Sequence, residues 1–156
     1  EKAVREINTG IYAFNNQSLF EGLKHLNNNN AQHEYYLTDL VEILKKLGKK
    51  VVAIPCDDWQ EVQGINGNVE LAHAAKYMQE RINTEWMKKG VTIYDPNTTY
   101  IGPNVTFGTD VIIHPNTYLY GDTVVEDYAE ILPSTWLEDT NVSKAETVGP
   151  FIRRKG

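Results

Sequence analysis

Residues 100–134 read YIGPNVTFGTDVIIHPNTYLYGDTVVEDYAEILPS, and within them Ile101, Phe107, Ile113, Leu119, Val125 and Ile131 stand six apart without a gap. Gly102, Gly108 and Gly121 follow or lie near these positions, with polar residues between. A six-residue apolar period is the pattern of a parallel β-helix, in which each short strand turns its central apolar side chain inward and a tight turn follows. Three such strands complete a coil of about 18 residues, so the repeat supplies roughly three coils. The same residues also read as a small antiparallel sandwich of short alternating strands. Six consecutive positions in one register favour the β-helix.

Upstream the pattern is different. Leu71, Ala75, Met78, Ile82 and Trp86 trace an apolar stripe at helical spacing, which predicts a long helix over 69–89 with Gly90 as its stop. Asp95-Pro96 marks a turn before the repeat. Val51–Ile54 (VVAI) is short and β-branched and reads as a buried strand. Leu37, Leu40, Val41, Leu44 and Leu47 predict a helix, with Lys45 and Lys46 in its last turn and Gly48 beyond it. Ser18 and Glu21 have capping-box spacing ahead of Leu19, Phe20, Leu23 and Leu26, which predicts a helix over 18–27. The apolar end of residues 6–14 (EINTGIYAF) reads as another buried strand. Strand, helices and strand make the tail of an α/β domain. The expected organisation is therefore residues 1–68 as part of an α/β domain, 69–89 as a connecting helix and 90–156 as the start of a β-helix.

Composition removes several function classes. Of 156 residues 41% are hydrophobic and 23% charged, as in globular domains, and the formal net charge is -6. Phosphate-backbone binders carry the opposite balance, so nucleic acid is not an expected partner. No apolar run has the length of a membrane span. The opening EKAVREINTG lacks the apolar core of a signal peptide and has no initiator methionine, so we expect a cut end. The tail RRKG offers no cap for a solenoid, so the natural chain is expected to continue. One cysteine, Cys56, allows no internal disulfide and suits a reducing cytoplasm. It reads as a small buried residue, and Trp59, Trp86 and Trp136 read as packing residues. Zinc between β-helix subunits needs about three histidines, and His25, His33 and His73 fall outside the repeat. His114 therefore reads as a solvent-facing turn residue.

EINTGIYAF (6–14), NNNAQHEYYLTDLVEIL (28–44), VQGIN (62–66) and VGPF (148–151) occur in an order and spacing that closely resembles one family. It is the bacterial bifunctional N-acetylglucosamine-1-phosphate uridyltransferase/glucosamine-1-phosphate acetyltransferase. The resemblance implies an α/β uridyltransferase domain, a long helix, and a left-handed β-helix acetyltransferase domain. It also implies a cytoplasmic homotrimer that makes UDP-N-acetylglucosamine from UTP, acetyl-CoA and a sugar phosphate, with Mg²⁺. By the same resemblance Asn8 matches an asparagine that bonds the sugar nucleotide, and Asn66 matches both a sugar-nucleotide contact and a ligand of Mg²⁺. An amide donates and accepts at once, which suits a sugar, and its oxygen is a hard ligand. The family's partner aspartate lies upstream of EINTG and is not in this chain.

Other readings of these residues stay open. Asn8 reads equally as a strand-end turn residue, and Asn66-Gly67 as a turn dipeptide. Tyr35 and Tyr36 read as aromatic packing at a helix start. The family's Gly-rich nucleotide loop and its acetyltransferase histidine, lysine, tyrosine and asparagines have no counterpart here, so no catalytic residue is expected in this chain. Two departures stand out. His33 occupies the position of a family glycine. After VGPF the family's A-R-L-R-P-G becomes Ile152, Arg153, Arg154, Lys155, Gly156, placing lysine where the second, phosphate-binding arginine belongs. Lysine lacks the bidentate fork. Two other function classes fit: a non-catalytic β-helix assembly module, and a monofunctional sugar-1-phosphate nucleotidyltransferase.

Overall fold

The structure is a computed structural model and describes residues 6–156. The opening EKAVR, read above as lacking a signal peptide, lies outside the described residues. The chain forms two compact units, one ending at Gly64 and the other spanning Ile65–Gly156.

In the first unit, α1 (Asn16–Leu23) and α2 (Leu40–Lys46) pack together, with a 3-10 turn, Leu37–Asp39, leading into α2. Leu40 and Leu44 are buried against Gly22, where a Cβ would sit 3.0 Å from Leu40 Cδ2. The helix starts earlier than its sequence suggests. Asn15, not Ser18, is the N-cap, its Oδ1 accepting the Ser18 N–H at 3.1 Å. Glu21 does not close a capping box, because its carboxylate pairs with Lys49 at 2.8 Å and is held below its ordinary pKa by that ammonium. α2 ends as expected, with Gly48 at φ 70 and the Lys49 N–H closing on the Leu44 carbonyl.

Neither expected strand of this unit forms. Ile11–Phe14 and Val51–Ile54 are unpaired coil. A strand exists only where a neighbour takes its N–H and C=O groups, and among the described residues nothing pairs with either segment. The consequence reaches Cys56, which is exposed rather than buried because no sheet surrounds it. Trp59 is likewise 66% exposed and packs no core.

The second unit is a left-handed parallel β-helix with a helix against its first coil. Eleven short strands follow one another: β1 (Thr92–Ile93), β2 (Thr99–Ile101), β3 (Thr106–Phe107), β4 (Ile112–Ile113), β5 (Thr117–Tyr120), β6 (Val124–Val125), β7 (Glu130–Ile131), β8 (Trp136–Glu138), β9 (Asn141–Val142), β10 (Thr147–Val148) and β11 (Arg153–Lys155). They form three parallel sheets, β1-β4-β7-β10, β2-β5-β8-β11 and β3-β6-β9. That is about four coils rather than three, since the strands begin before Ile101 and run past Ile131. Thr106 pairs with Val124 and Ile112 with Glu130, 18 residues apart. The first coil is longer, pairing Thr92 with Ile112, because the turn at Asp95–Thr98 adds two residues. Every pair that spans Leu137–Val142 is one residue short, as in Glu130 with Thr147 and Val124 with Asn141.

Each strand turns two side chains inward, not one. Ile101, Ile113, Leu119, Val125, Ile131, Leu137, Val142 and Val148 form one buried set, and Thr99, Val105, Val111, Thr117, Thr123, Ala129, Thr135 and Thr140 the other, two residues earlier. Period-2 alternation requires this. The second set escaped the apolar count because five of its eight residues are threonine. Burying a hydroxyl is costly unless it is bonded. Thr117, Thr123 and Thr135 donate to the carbonyls of His114, Tyr120 and Leu132, three residues back.

The long helix α3 (Asn68–Lys88) packs on β1 and β2. Ile82 and Trp86 lie against the core, and the Trp86 ring meets Phe107 edge-on at 4.9 Å. Gln79 and Asn83, one turn apart, hold the longer first turn. Asn83, fully buried, donates to the carbonyls of Pro96 and Thr99 at 2.9 Å. Gln79 donates to Pro96, Asn97 and Thr99 at 2.9–3.1 Å.

Gly121 carries the tightest corner. Its φ is 62, and a Cβ there would lie 1.9 Å from Asp139 Oδ1, the oxygen that accepts the Asp122 N–H. Gly121→Ala adds left-handed strain and breaks that bond, so we expect a loss of about 2–3 kcal/mol in urea unfolding of the solenoid. A loss under about 0.5 kcal/mol contradicts the corner's geometry.

Candidate functional site

The two family-matched asparagines fall in different units. Asn8 is exposed, its Oδ1 accepting the Gly10 N–H at 3.0 Å while its amide donates to the Tyr12 hydroxyl. Asn66 is also exposed, in the loop before α3, next to Gly67 at the helix N-cap. Its side-chain oxygen is one neutral ligand. Mg²⁺ needs near-octahedral oxygen coordination, commonly anchored by one or two carboxylates. Among the described residues no group of three or more His, Cys, Asp or Glu is placed to hold a metal. The residues present do not by themselves make a Mg²⁺ site.

Asn30 organises the NNNAQHEYY loop. Its Oδ1 accepts the N–H groups of Gln32 and Glu34 at 3.2 Å, and its amide donates to the Glu34 carbonyl at 2.6 Å. His33 takes φ 55 inside this ring of bonds. His33 thus takes a conformation that favours glycine, with the Asn30 side chain bonded on either side of it. Tyr36 bonds Gln32 through its hydroxyl at 3.1 Å. Tyr35 is 66% exposed and does not pack at the helix start.

On the solenoid, His114 is not a free turn residue. Its Nε2 lies 2.7 Å from Glu130 Oε1, one coil on, and its ring meets Tyr94 edge-on at 4.9 Å. A second array was missed entirely in the sequence. On the β2-β5-β8-β11 sheet the outward side chains Tyr100, Tyr118 and Trp136 stack at 5.0 and 5.6 Å, Tyr120 meets Trp136 edge-on, and the Arg153 guanidinium lies over the Trp136 ring at 5.4 Å. Trp136 is therefore a packing residue of the outer face, not of the core. The signal was an aromatic 18 residues from another, each behind a P-N-T or P-S-T corner. Burial, with Tyr118 and Tyr100 nearby, pushes the Tyr120 hydroxyl above its ordinary pKa.

The atypical tail joins this sheet. Lys155 bonds Glu138 at 2.8 Å, and that carboxylate raises the lysine's pKa. Arg154 occupies the inward register beside Leu137 and pairs with Glu146 at 3.3 Å.

The chain is 46% identical over 148 residues to the bifunctional protein GlmU of a Geobacillus species and 43% identical over 148 residues to that of Halalkalibacterium halodurans. Each match takes in 95% of this chain and 32% of the relative. The chain is a segment of the GlmU family. It spans about a third of the length of the GlmU proteins it matches. No family model matches it. The GlmU protein of Latilactobacillus sakei is 43% identical over 167 residues, which take in 96% of this chain and 36% of the relative. Among the described residues no helix is long and apolar enough to cross a membrane.

Tyr120 gives a pH prediction. Its folded pKa is above the unfolded value, so its neutral form favours the fold, fully so below the unfolded pKa, and that stability is lost as pH rises through the folded pKa. We expect the Tm of Tyr120→Phe to fall less than that of the parent as pH is raised past about 10. Equal falls in a thermal melt series would show that Tyr120 is not held neutral by the aromatic face.

Proposed function

We propose that this chain is the central part of an enzyme that makes UDP-N-acetylglucosamine. The enzyme acetylates glucosamine-1-phosphate with acetyl-CoA and then transfers uridylyl from UTP, releasing pyrophosphate. In this reading residues 1–68 end the uridyltransferase domain, 69–89 connect, and 90–156 begin the acetyltransferase β-helix. The parent works in the cytoplasm in peptidoglycan-precursor synthesis, as a homotrimer formed through its solenoid, with Mg²⁺. The observation that carries this is identity of 43–46% to GlmU proteins across 95% of the chain, through both the EINTG and the solenoid regions.

Asn8 would bond the sugar nucleotide in the assembled enzyme, and Asn66 would both contact it and add one oxygen to the metal. Both amides are solvent-exposed, which leaves them open to a ligand. The family's other catalytic groups have no counterpart in this sequence, so the 156-residue chain alone is inactive in this reading. A second reading is favoured by the contrast between a fully packed solenoid and the few buried residues of the first unit. There the chain is a non-catalytic assembly module.

A chimera separates them. Residues 6–156 replace the matching stretch of the Geobacillus relative, and both transfers are assayed. We expect both activities, and Asn8→Ala or Asn66→Ala to lower uridyl transfer about 10- to 100-fold while sparing acetyl transfer, the scale of one hydrogen bond to a charged group. A folded chimera without either activity overturns the enzyme reading in favour of the module.

A further inference from the structure

Asn66-Gly67 is the one place in the chain where glycine follows asparagine. After every other asparagine stands Thr, Val, Gln, Ala or another Asn, whose Cβ shields the backbone nitrogen beside it. Several of those asparagines also have an engaged amide. Asn8 donates to the Tyr12 hydroxyl, Asn30 to the Glu34 carbonyl, Asn104 to Asp122 and Asn141 to Glu126. Asn83 is fully buried and bonded to two carbonyls.

Asn66 differs on each point. It lies in coil ahead of α3, and among the described residues no hydrogen bond holds its amide or the Gly67 N–H. Gly67 is the N-cap. Its carbonyl accepts the Leu71 N–H at 3.0 Å, while its own N–H stands before the helical ladder. The backbone at Gly67 is extended, with φ -160 and ψ -178. The Gly67 nitrogen and the Asn66 side-chain carbon are neighbours along the chain, so a reaction between them is intramolecular. It depends on this local backbone and not on what lies beyond either end of the chain.

We propose that Asn66 is a self-modifying residue, converted to aspartyl and isoaspartyl forms through a succinimide closed by the Gly67 nitrogen. The Gly67 N–H gives its proton to water, and the nitrogen attacks Asn66 Cγ. That C–N bond forms, the bond from Cγ to the side-chain nitrogen breaks, and ammonia leaves with a proton from water. The ring then takes up water at either of its carbonyls. Breaking the bond from Gly67 N to Cγ gives aspartate. Breaking the original peptide bond gives isoaspartate, with the main chain routed through Cβ and Cγ. Water enters and ammonia leaves, with no change of oxidation state. The consequence for activity rests on the enzyme reading above. An amide both donates and accepts, whereas a carboxylate only accepts, and in isoaspartate it also leaves the amide's position. The ageing enzyme then loses the Asn66 contact to the sugar nucleotide while its solenoid stays intact.

The test is peptide mapping by mass spectrometry of the 156-residue chain after storage in mildly alkaline buffer, with isoaspartate quantified by enzymatic methylation. We expect the amide-to-acid mass gain to appear first in the peptide that contains Asn66, with isoaspartate in it. Gly67→Ala tests the ring step with the fold kept, because alanine adopts this extended backbone and its Cβ meets only the flexible Glu70 carboxylate, at 3.1 Å. In that variant conversion at Asn66 should be at least about tenfold slower, a barrier higher by about 1.4 kcal/mol. An unconverted Asn66 while other asparagines convert overturns the proposal. So do equal rates in Gly67→Ala, or conversion in urea without conversion in the native chain. The consequence is read separately in the chimera, where uridyl transfer should fall in step with conversion at residue 66 while acetyl transfer persists. Conversion with uridyl transfer unchanged leaves the modification standing and removes Asn66 from the sugar-nucleotide contacts.

Discussion

The strands of one coil of a parallel β-helix have no ladder partners within that coil. Each two- or three-residue strand finds them in the coils before and after, and these bonds close only if the backbone returns to the same place every turn. This constraint fixes the coil at 18 residues and sends inward side chains into columns of like size. Where the chain departs from 18, it does so at a corner and restores the columns afterwards. The longer first turn is bound by Gln79 and Asn83, so their carbonyl partners do not lie bare against the helix. The shorter Leu137–Val142 passage is centred on Asp139 at φ 53, whose carboxylate reaches back to the preceding corner.

The two units stand in contrast on this point. Residues 65–156 contain their own partners, because each coil supplies the next. Residues 6–64 contain strand-like segments without a sheet, and only Gly22, Leu40 and Leu44 of the described residues there are buried. Apolar sequence is necessary for a strand, but the ladder is supplied by another strand. Val52 and Ile54 remain 64% and 87% exposed for want of one.

That difference also explains what could be read from the amino acids. The six-residue period was legible because the buried positions are large and apolar, and α3 was legible from its stripe and its glycine stop. The Thr99, Thr117 and Thr135 column was not, because a polar side chain satisfied by its own corner carbonyl leaves no hydropathy signal. The aromatic face was hidden by a period three times longer than the one sought. Cys56 and Trp59 were misjudged through the strand that did not form. Asn8 and Asn66 were chosen by resemblance, and what the fold shows is their setting: one within a local turn, the other at the start of α3. His33 takes a left-handed conformation between the two backbone N–H groups that the Asn30 side chain accepts.

Native-state amide hydrogen exchange tests the central claim most directly, that the coils support one another as one cooperative body while the first unit rests on two packed helices. The account predicts that the amides of Ile112, Tyr118, Val124 and Glu130, all bonded coil to coil, exchange only through global opening of the solenoid and are the slowest in the chain. Amides of residues 6–64 exchange faster, those of Val51–Ile54 fastest among its apolar segments. Protection of Val51–Ile54 equal to that of the solenoid strands would contradict it.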